Sequence, residues 1–103
     1  MKTIKGIFFS ILLIFTASVS AATVQTGIEV LRADGFKLLE GKRVGLTTNP
    51  TGVDSNLKST IDILWEAENV NLVALYGPEH GVRGNVHAGD VVDNEMDKKT
   101  GLK

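Results

Sequence analysis

Leu72-Val73-Ala74-Leu75-Tyr76-Gly77-Pro78 is an apolar run without alternation that stops on two turn-forming residues. A run of this kind fits a strand covered on both faces, as in a parallel sheet. Toward the N-terminus, Leu57, Ile61, Leu64 and Trp65 fall at i, i+4, i+7 and i+8, the stripe of an amphipathic helix. Ser59 with Asp62 offers that helix a start, and Asn69 a stop. Before it, Arg43-Val44-Gly45-Leu46-Thr47-Thr48 is a short β-prone run bounded by Gly41 and by the turn Asn49-Pro50-Thr51-Gly52. Strand, helix and strand in this order predict a βαβ unit with parallel strands, hence an α/β fold class. Both loops that follow the strands then leave the same carboxyl edge, where open α/β sheets bind ligands.

Outside this unit, Thr26 and Glu29 form a candidate capping box for a short helix carrying Ile28, Val30 and Leu31, broken by Asp34 and Gly35. Phe36 to Glu40 suit one further turn, closed by Gly41 in the left-handed conformation. Ile61, Leu64 and Trp65 are expected in the core, with Asp62, Glu66 and Glu68 on the wet face of their helix. Tyr76 is expected to bury its ring and keep a polar tip. From Asn85 onward the chain is polar, with Asp90, Asp93, Glu95 and Asp97, and predicts an exposed loop.

The N-terminus has a different character. Lys2 and Lys5 precede an apolar run from Gly6 to Phe15, followed by small residues from Thr16 to Ala22. This order is that of a secretory signal peptide cut after Ala21, and the run falls short of the roughly 20 apolar residues that span a bilayer. The alternative is an uncleaved N-terminal anchor. Cleavage would leave residues 22–103 with nine basic and twelve acidic side chains, a formal charge of −3. The expected destination is secreted or periplasmic, with no membrane partner after cleavage. The 103 residues carry 11 Lys plus Arg, 12 Asp plus Glu and no cysteine. That balance excludes a basic nucleic-acid binder, a disulfide framework and a cysteine-ligated metal site.

The chemistry concentrates in Gly77-Pro78-Glu79-His80-Gly81-Val82-Arg83-Gly84. Three glycines permit close backbone approach, while Pro78 fixes φ, so the loop is suited to aiming a few side chains. Glu79 can give or take a proton, His80 can orient or hydrogen-bond, and Arg83 can hold an anion through two parallel bonds. A solvated surface turn whose charges pair with one another is the alternative. The glycine spacing is not that of a dinucleotide fingerprint, and Pro50 removes a backbone donor where a phosphate cradle would sit. Glu79, His80 and the distant His87 offer too few ligands for a catalytic metal. Asn49, just beyond the first strand, can reach a ligand at the sheet edge or simply start a turn with Pro50.

The run from Gly41 to Asp54 (Gly41-Lys42-Arg43-Val44-Gly45-Leu46-Thr47-Thr48-Asn49-Pro50-Thr51-Gly52-Val53-Asp54), followed by Leu75-Tyr76 and the loop just quoted, closely resembles the N-terminal part of the exo-β-N-acetylmuramidase family of peptidoglycan hydrolases. The resemblance extends from about Gly27 to Leu102. It implies a secreted glycosidase that releases N-acetylmuramic acid from the non-reducing end of peptidoglycan fragments, muropeptides or disaccharides, with no cofactor and no metal. It also implies a Rossmann-like N-terminal domain joined to a second domain, with residues 22–103 as part of the first and the C-terminal domain absent. By the same resemblance Glu79 falls on the general acid, and Asn49, His80 and Arg83 on the sugar site, with Arg83 the candidate partner of the lactyl carboxylate. The 2-acetamido carbonyl of the substrate is then a candidate internal nucleophile. The alternative function is a secreted cell-wall sugar-binding or catalytically inert fragment, and a small nucleotide-binding α/β protein ranks behind both.

Overall fold

The computed structural model describes residues 23–91 and 94–103. The expected signal peptide, residues 1–21, lies outside them. Elements follow in the order α1 (Gly27–Ala33), a 3₁₀ turn (Lys37–Leu39), β1 (Arg43–Thr47), α2 (Thr60–Trp65) and β2 (Asn71–Tyr76). The two strands pair in parallel with α2 between them in sequence, so the βαβ unit and the α/β class are both observed.

The register explains the missing alternation in β2. Val44 lies opposite Leu72, but Gly45 lies opposite Ala74, so Val73 is an extra residue on β2, a β-bulge. A bulge resets the two-residue period, which lets Leu72 and Leu75, three apart, both enter the core beside Val44 and Leu46. Val73 and Ala74 are half-buried and Tyr76 is 59% exposed. The continuous apolar run thus reflects a bulge rather than coverage of both faces, and the Tyr76 ring lies out over Gly45 rather than in the core. A Cβ at Gly45 would come within 3.1 Å of that ring.

The core consists of Phe36, Ile61, Ile63, Leu64, Leu72 and Leu75, so α2 packs its apolar face on one side of the sheet. Two expectations for this helix are corrected. Leu57 is 81% exposed with φ of 62°, outside the helix, because the Asp54 carboxylate accepts from the Asn56 and Lys58 amides (both 2.9 Å) and curls the chain into a turn first. The helix begins only after Ser59, whose hydroxyl accepts from the Ile61 amide. Trp65, at its last residue, is 42% exposed rather than core.

Helix α1 carries the expected capping box, with Glu29 accepting from the Thr26 amide at 2.7 Å. It ends at Ala33, as Asp34 and Gly35 predict, and Gly41 adopts a φ of 69° after the 3₁₀ turn. No residue of α1 is fully buried. Polar contacts to the loop after β1 supplement its packing: Glu29 takes the Ser55 amide and hydroxyl, and Arg32 pairs with the buried Asp54 at 2.8 Å. These bonds hold the Glu29 carboxyl down at about 2, the Ser55 hydroxyl contributing most, and keep Asp54 below its ordinary range through Arg32 first.

Candidate functional site at the carboxyl edge of the sheet

Where the strands end, the Thr48 amide donates to the Tyr76 carbonyl at 2.9 Å, so the two outgoing loops start side by side. The first loop is closed by its own residues. Asn49 Oδ1 accepts from the Thr51 amide (3.1 Å) and hydroxyl (2.7 Å), and the Asn49 carbonyl accepts from the Gly52 amide. This is an Asx turn, the structural use of an Asn-Pro pair. Asn49 Nδ2 has no hydrogen-bond partner among the described residues.

The second loop folds back on itself. The Gly81 amide donates to the Pro78 carbonyl at 2.8 Å, closing a four-residue turn with Glu79 and His80 at its two central positions. Gly77 is required by this fold-back, since a Cβ there would stand 2.8 Å from the Val82 amide nitrogen. Gly84 has φ of 74°, and a Cβ on it would meet Pro50 at 2.8 Å, so the end of the second loop rests on the first. His80 Nδ1 lies 3.2 Å from the Val86 carbonyl, which can only accept. Nδ1 therefore carries the proton, and Nε2 is left for another partner. Glu79 is exposed and makes no hydrogen bond to any described residue.

Arg83 is not an open cation. Its Nε and Nη2 donate to the two carboxylate oxygens of Asp97 (2.5 and 3.0 Å), and Nη2 also reaches Asp62 at 2.9 Å. Asp97 accepts in addition from the Thr100 amide and hydroxyl, and only 5% of its side chain is exposed. Asp62 pairs further with Lys99 (2.7 Å), which also faces Glu66, itself bonded to Lys58. Three cations and three carboxylates thus form a cluster with no net formal charge. The Arg83 fork holds the Asp97 carboxyl down at about 2, while Asp97 and Asp62 push the guanidinium further up. Burial raises Asp62, yet Lys99 and Arg83 together keep it below the ordinary carboxylate range.

This cluster corrects two expectations. Asp62 belongs to a half-buried ion cluster rather than to a wet helix face, and the segment after Asn85 is not all exposed loop. Its end forms a tight turn in which the Gly101 amide donates to the Asp97 carbonyl and the Asp97 amide to the Leu102 carbonyl, both at 2.7 Å, with Thr100 buried. Asp97 and Thr100 are the residues that sequence reasoning missed. Asp-x-x-Thr-Gly is a turn signature that could have marked them, since Asp and Thr side chains cap nearby amides.

Two clefts meet at the rim. A shallow one of about 560 Å³ is lined by Thr47, Thr48, Asn49, Tyr76, Gly77 and Pro78. A second of about 500 Å³ opens between the 77–86 loop and the 94–103 segment, with Tyr76, Val82, Arg83 and Met96 in its walls. Both fall in the range of small-molecule sites. Asn49 and the start of the Gly-Pro-Glu-His loop share one cleft, and Arg83 lines the other. Glu79 and His80 line neither; they sit at the corners of the turn that follows Pro78. Among the described residues no three His, Asp or Glu side chains gather as metal ligands.

Residues 44–103 match the family model described as exo-β-N-acetylmuramidase NamZ, N-terminal. Over 79 residues the chain is 57% identical to the peptidoglycan β-N-acetylmuramidase NamZ of Bacillus subtilis (strain 168), covering 77% of this chain and 19% of that protein. It is also similar to the crystal structure of a DUF1343 family protein from Bacteroides fragilis NCTC 9343, with a TM-score of 0.66 and 70% identity over 76% of this chain and 18% of that one. The chain therefore spans about a fifth of the length of these relatives. Since the family model covers more than half of its residues, including β2, all of β1 but Arg43, and both rim loops, the chain belongs to the exo-β-N-acetylmuramidase NamZ family and matches its N-terminal part.

Proposed function

We propose that this chain contributes the acid-bearing wall of an exo-β-N-acetylmuramidase site that takes N-acetylmuramic acid from the non-reducing end of peptidoglycan fragments. In this reading it is a secreted or periplasmic protein whose Rossmann-like domain works with a second domain across the cleft. The observation that carries the reading is the convergence of the two family motifs at one sheet edge, where Gly84 rests on Pro50 and Thr48 bonds to Tyr76.

Glu79 is the general acid: its proton goes to the glycosidic oxygen as the bond from that oxygen to the anomeric carbon breaks. The carbonyl oxygen of the 2-acetamido group closes onto the anomeric carbon, and water reopens the ring, returning a proton to Glu79. His80, held at Nδ1 by Val86, offers Nε2 to the sugar, and Asn49 offers Nδ2. Trapping a covalent adduct between the sugar and a protein carboxylate would remove the internal nucleophile from this scheme.

The test is release of chromophore from an N-acetylmuramic acid β-glycoside by this chain joined to the remaining length of the Bacillus subtilis relative, and by the same fusion carrying Glu79→Gln. Release that falls by about 10²-fold or more in the variant supports the assignment. Equal and negligible release from both favours the second reading, a sugar-binding domain without turnover, which the exposure of Glu79 supports.

A further inference from the structure

We propose that Arg83 and Asp97 form a positioning clasp that fixes the 77–84 loop, with Glu79 and His80 at its turn, over the rim of the sheet. Arg83 then acts on the sugar only through that loop and is not the ligand of the lactyl carboxylate.

The inference starts from how the loop is attached. Its internal bonds, Gly81 to Pro78 and Val86 to His80, shape the turn without tying it to anything beyond the loop. Anchorage comes from Val82 against the core, from Gly84 on Pro50, and from the Arg83 fork on Asp97 and Asp62. Arg83 stands four residues after Glu79, so a shift of its guanidinium moves the acid. The receiving carboxylate is itself fixed, because Thr100 supplies two further bonds to Asp97 and the Asp97 backbone bonds to both Gly101 and Leu102. A planar fork seated on both oxygens of one carboxylate defines orientation as well as distance, which a lysine cannot do.

The ligand role for Arg83 fails on charge. Nε and Nη2 are committed to Asp97 and Asp62, so an incoming carboxylate that is to sit on two prongs of the guanidinium has to displace one of them, trading one anion for another while leaving a carboxylate that is 5% or 16% exposed without its partner. With three cations matched to three carboxylates, the cluster presents no surplus positive charge to attract it.

The sugar arm of the test rests on the muramic acid reading above, and the dynamics arm does not. Backbone amide relaxation is measured on the chain, on Asp97→Asn and on Arg83→Lys, which keeps the charge and removes the fork. Order parameters of residues 79–84 are expected to fall from about 0.85 toward about 0.6 in both variants, with β1 and β2 unchanged. Unchanged loop order, or equal loss of order in the strands, overturns the clasp. N-acetylmuramic acid and N-acetylglucosamine, which lacks the lactyl carboxylate, are then titrated into the same proteins. The clasp predicts that Asp97→Asn weakens both sugars by a similar factor, about tenfold. Tighter N-acetylmuramic acid binding in Asp97→Asn, with N-acetylglucosamine unchanged, would show a freed guanidinium taking the lactyl group and overturns the proposal. If the unsubstituted chain binds neither sugar, the order parameters alone decide the clasp.

Discussion

The loop after β1 and the loop after β2 leave one sheet edge side by side, yet they are held by different means. The first takes its shape from its own residues, since Asn49 caps Thr51 two residues on and Asp54 caps Asn56 and Lys58 two and four residues on, while Arg32 on Asp54 and Glu29 on Ser55 tether the formed turn to α1. The second depends on carboxylates 14 and 21 residues away, Asp97 and Asp62. A locally closed turn forms whenever its own few residues do, whereas a loop held from afar keeps its shape only while the rest of the fold is intact. The acid-bearing loop is of the second kind. Its geometry is therefore sensitive to substitutions that touch neither Glu79 nor His80.

Removing the common support should erase this difference. Ile61 is fully buried in the core on which both strands pack, and Ile61→Ala is expected to cost about 2–5 kcal/mol, seen as a lowered urea midpoint with both loops lost together. A selective change comes next. Asp97→Asn leaves the Arg83 fork half-satisfied and is expected to cost about 2 kcal/mol, with the amide signals of residues 77–84 shifting and those of 49–54 staying in place.

Acid offers the same cut without mutation. The Asp97 carboxyl lies at about 2 in the folded chain against an ordinary 3.8, so between these values the unfolded chain binds more protons and stability rises with pH. The contribution of Asp97 is complete above the ordinary value and disappears as pH falls through about 2. Urea midpoints measured from pH 5 down to pH 2 should fall less steeply in Asp97→Asn. Glu29 titrates in the same window and belongs to the first region, so part of the slope should survive in the variant.

Smaller effects probe the seam between the loops and the first turn itself. Gly84→Ala places a methyl group against Pro50 at a φ of 74° and is expected to cost about 1–2 kcal/mol, with chemical shifts moving in both loops. Asn49→Ala removes only the side-chain cap, for about 1 kcal/mol or less, and should perturb residues 49–52 while leaving the second loop unchanged. Equal disturbance of the two loops by Asn49→Ala would contradict the division drawn between them.

Local rules made most of the backbone legible. The Thr26–Glu29 box, the break at Asp34-Gly35, the left-handed Gly41 and both strands are each set by residues within a few positions of one another, and each is present in the fold. Leu57 failed the helical stripe because Asp54, three residues before it, offers the chain a competing turn. Val73 was unreadable as a bulge because an apolar run has the same composition whether it is covered on both faces or carries one extra residue. The candidate site divides in the same way. The motif from Gly77 to Gly84 and its place after a strand follow from sequence. The partners of Arg83 do not, because a guanidinium on a loop suits a substrate carboxylate as well as an internal one.

By itself the sequence determined the order of strand, helix and strand, the parallel pairing that follows from it, and the edge at which the acid-bearing loop emerges, since these depend on periodicity, caps and turns encoded nearby. Only the tertiary structure decided which carboxylates Arg83 meets, that Asp62 leaves the solvent, that Tyr76 faces outward and that Gly84 rests on Pro50. Those outcomes depend on which distant segments become neighbours, and no local pattern of side chains specifies that.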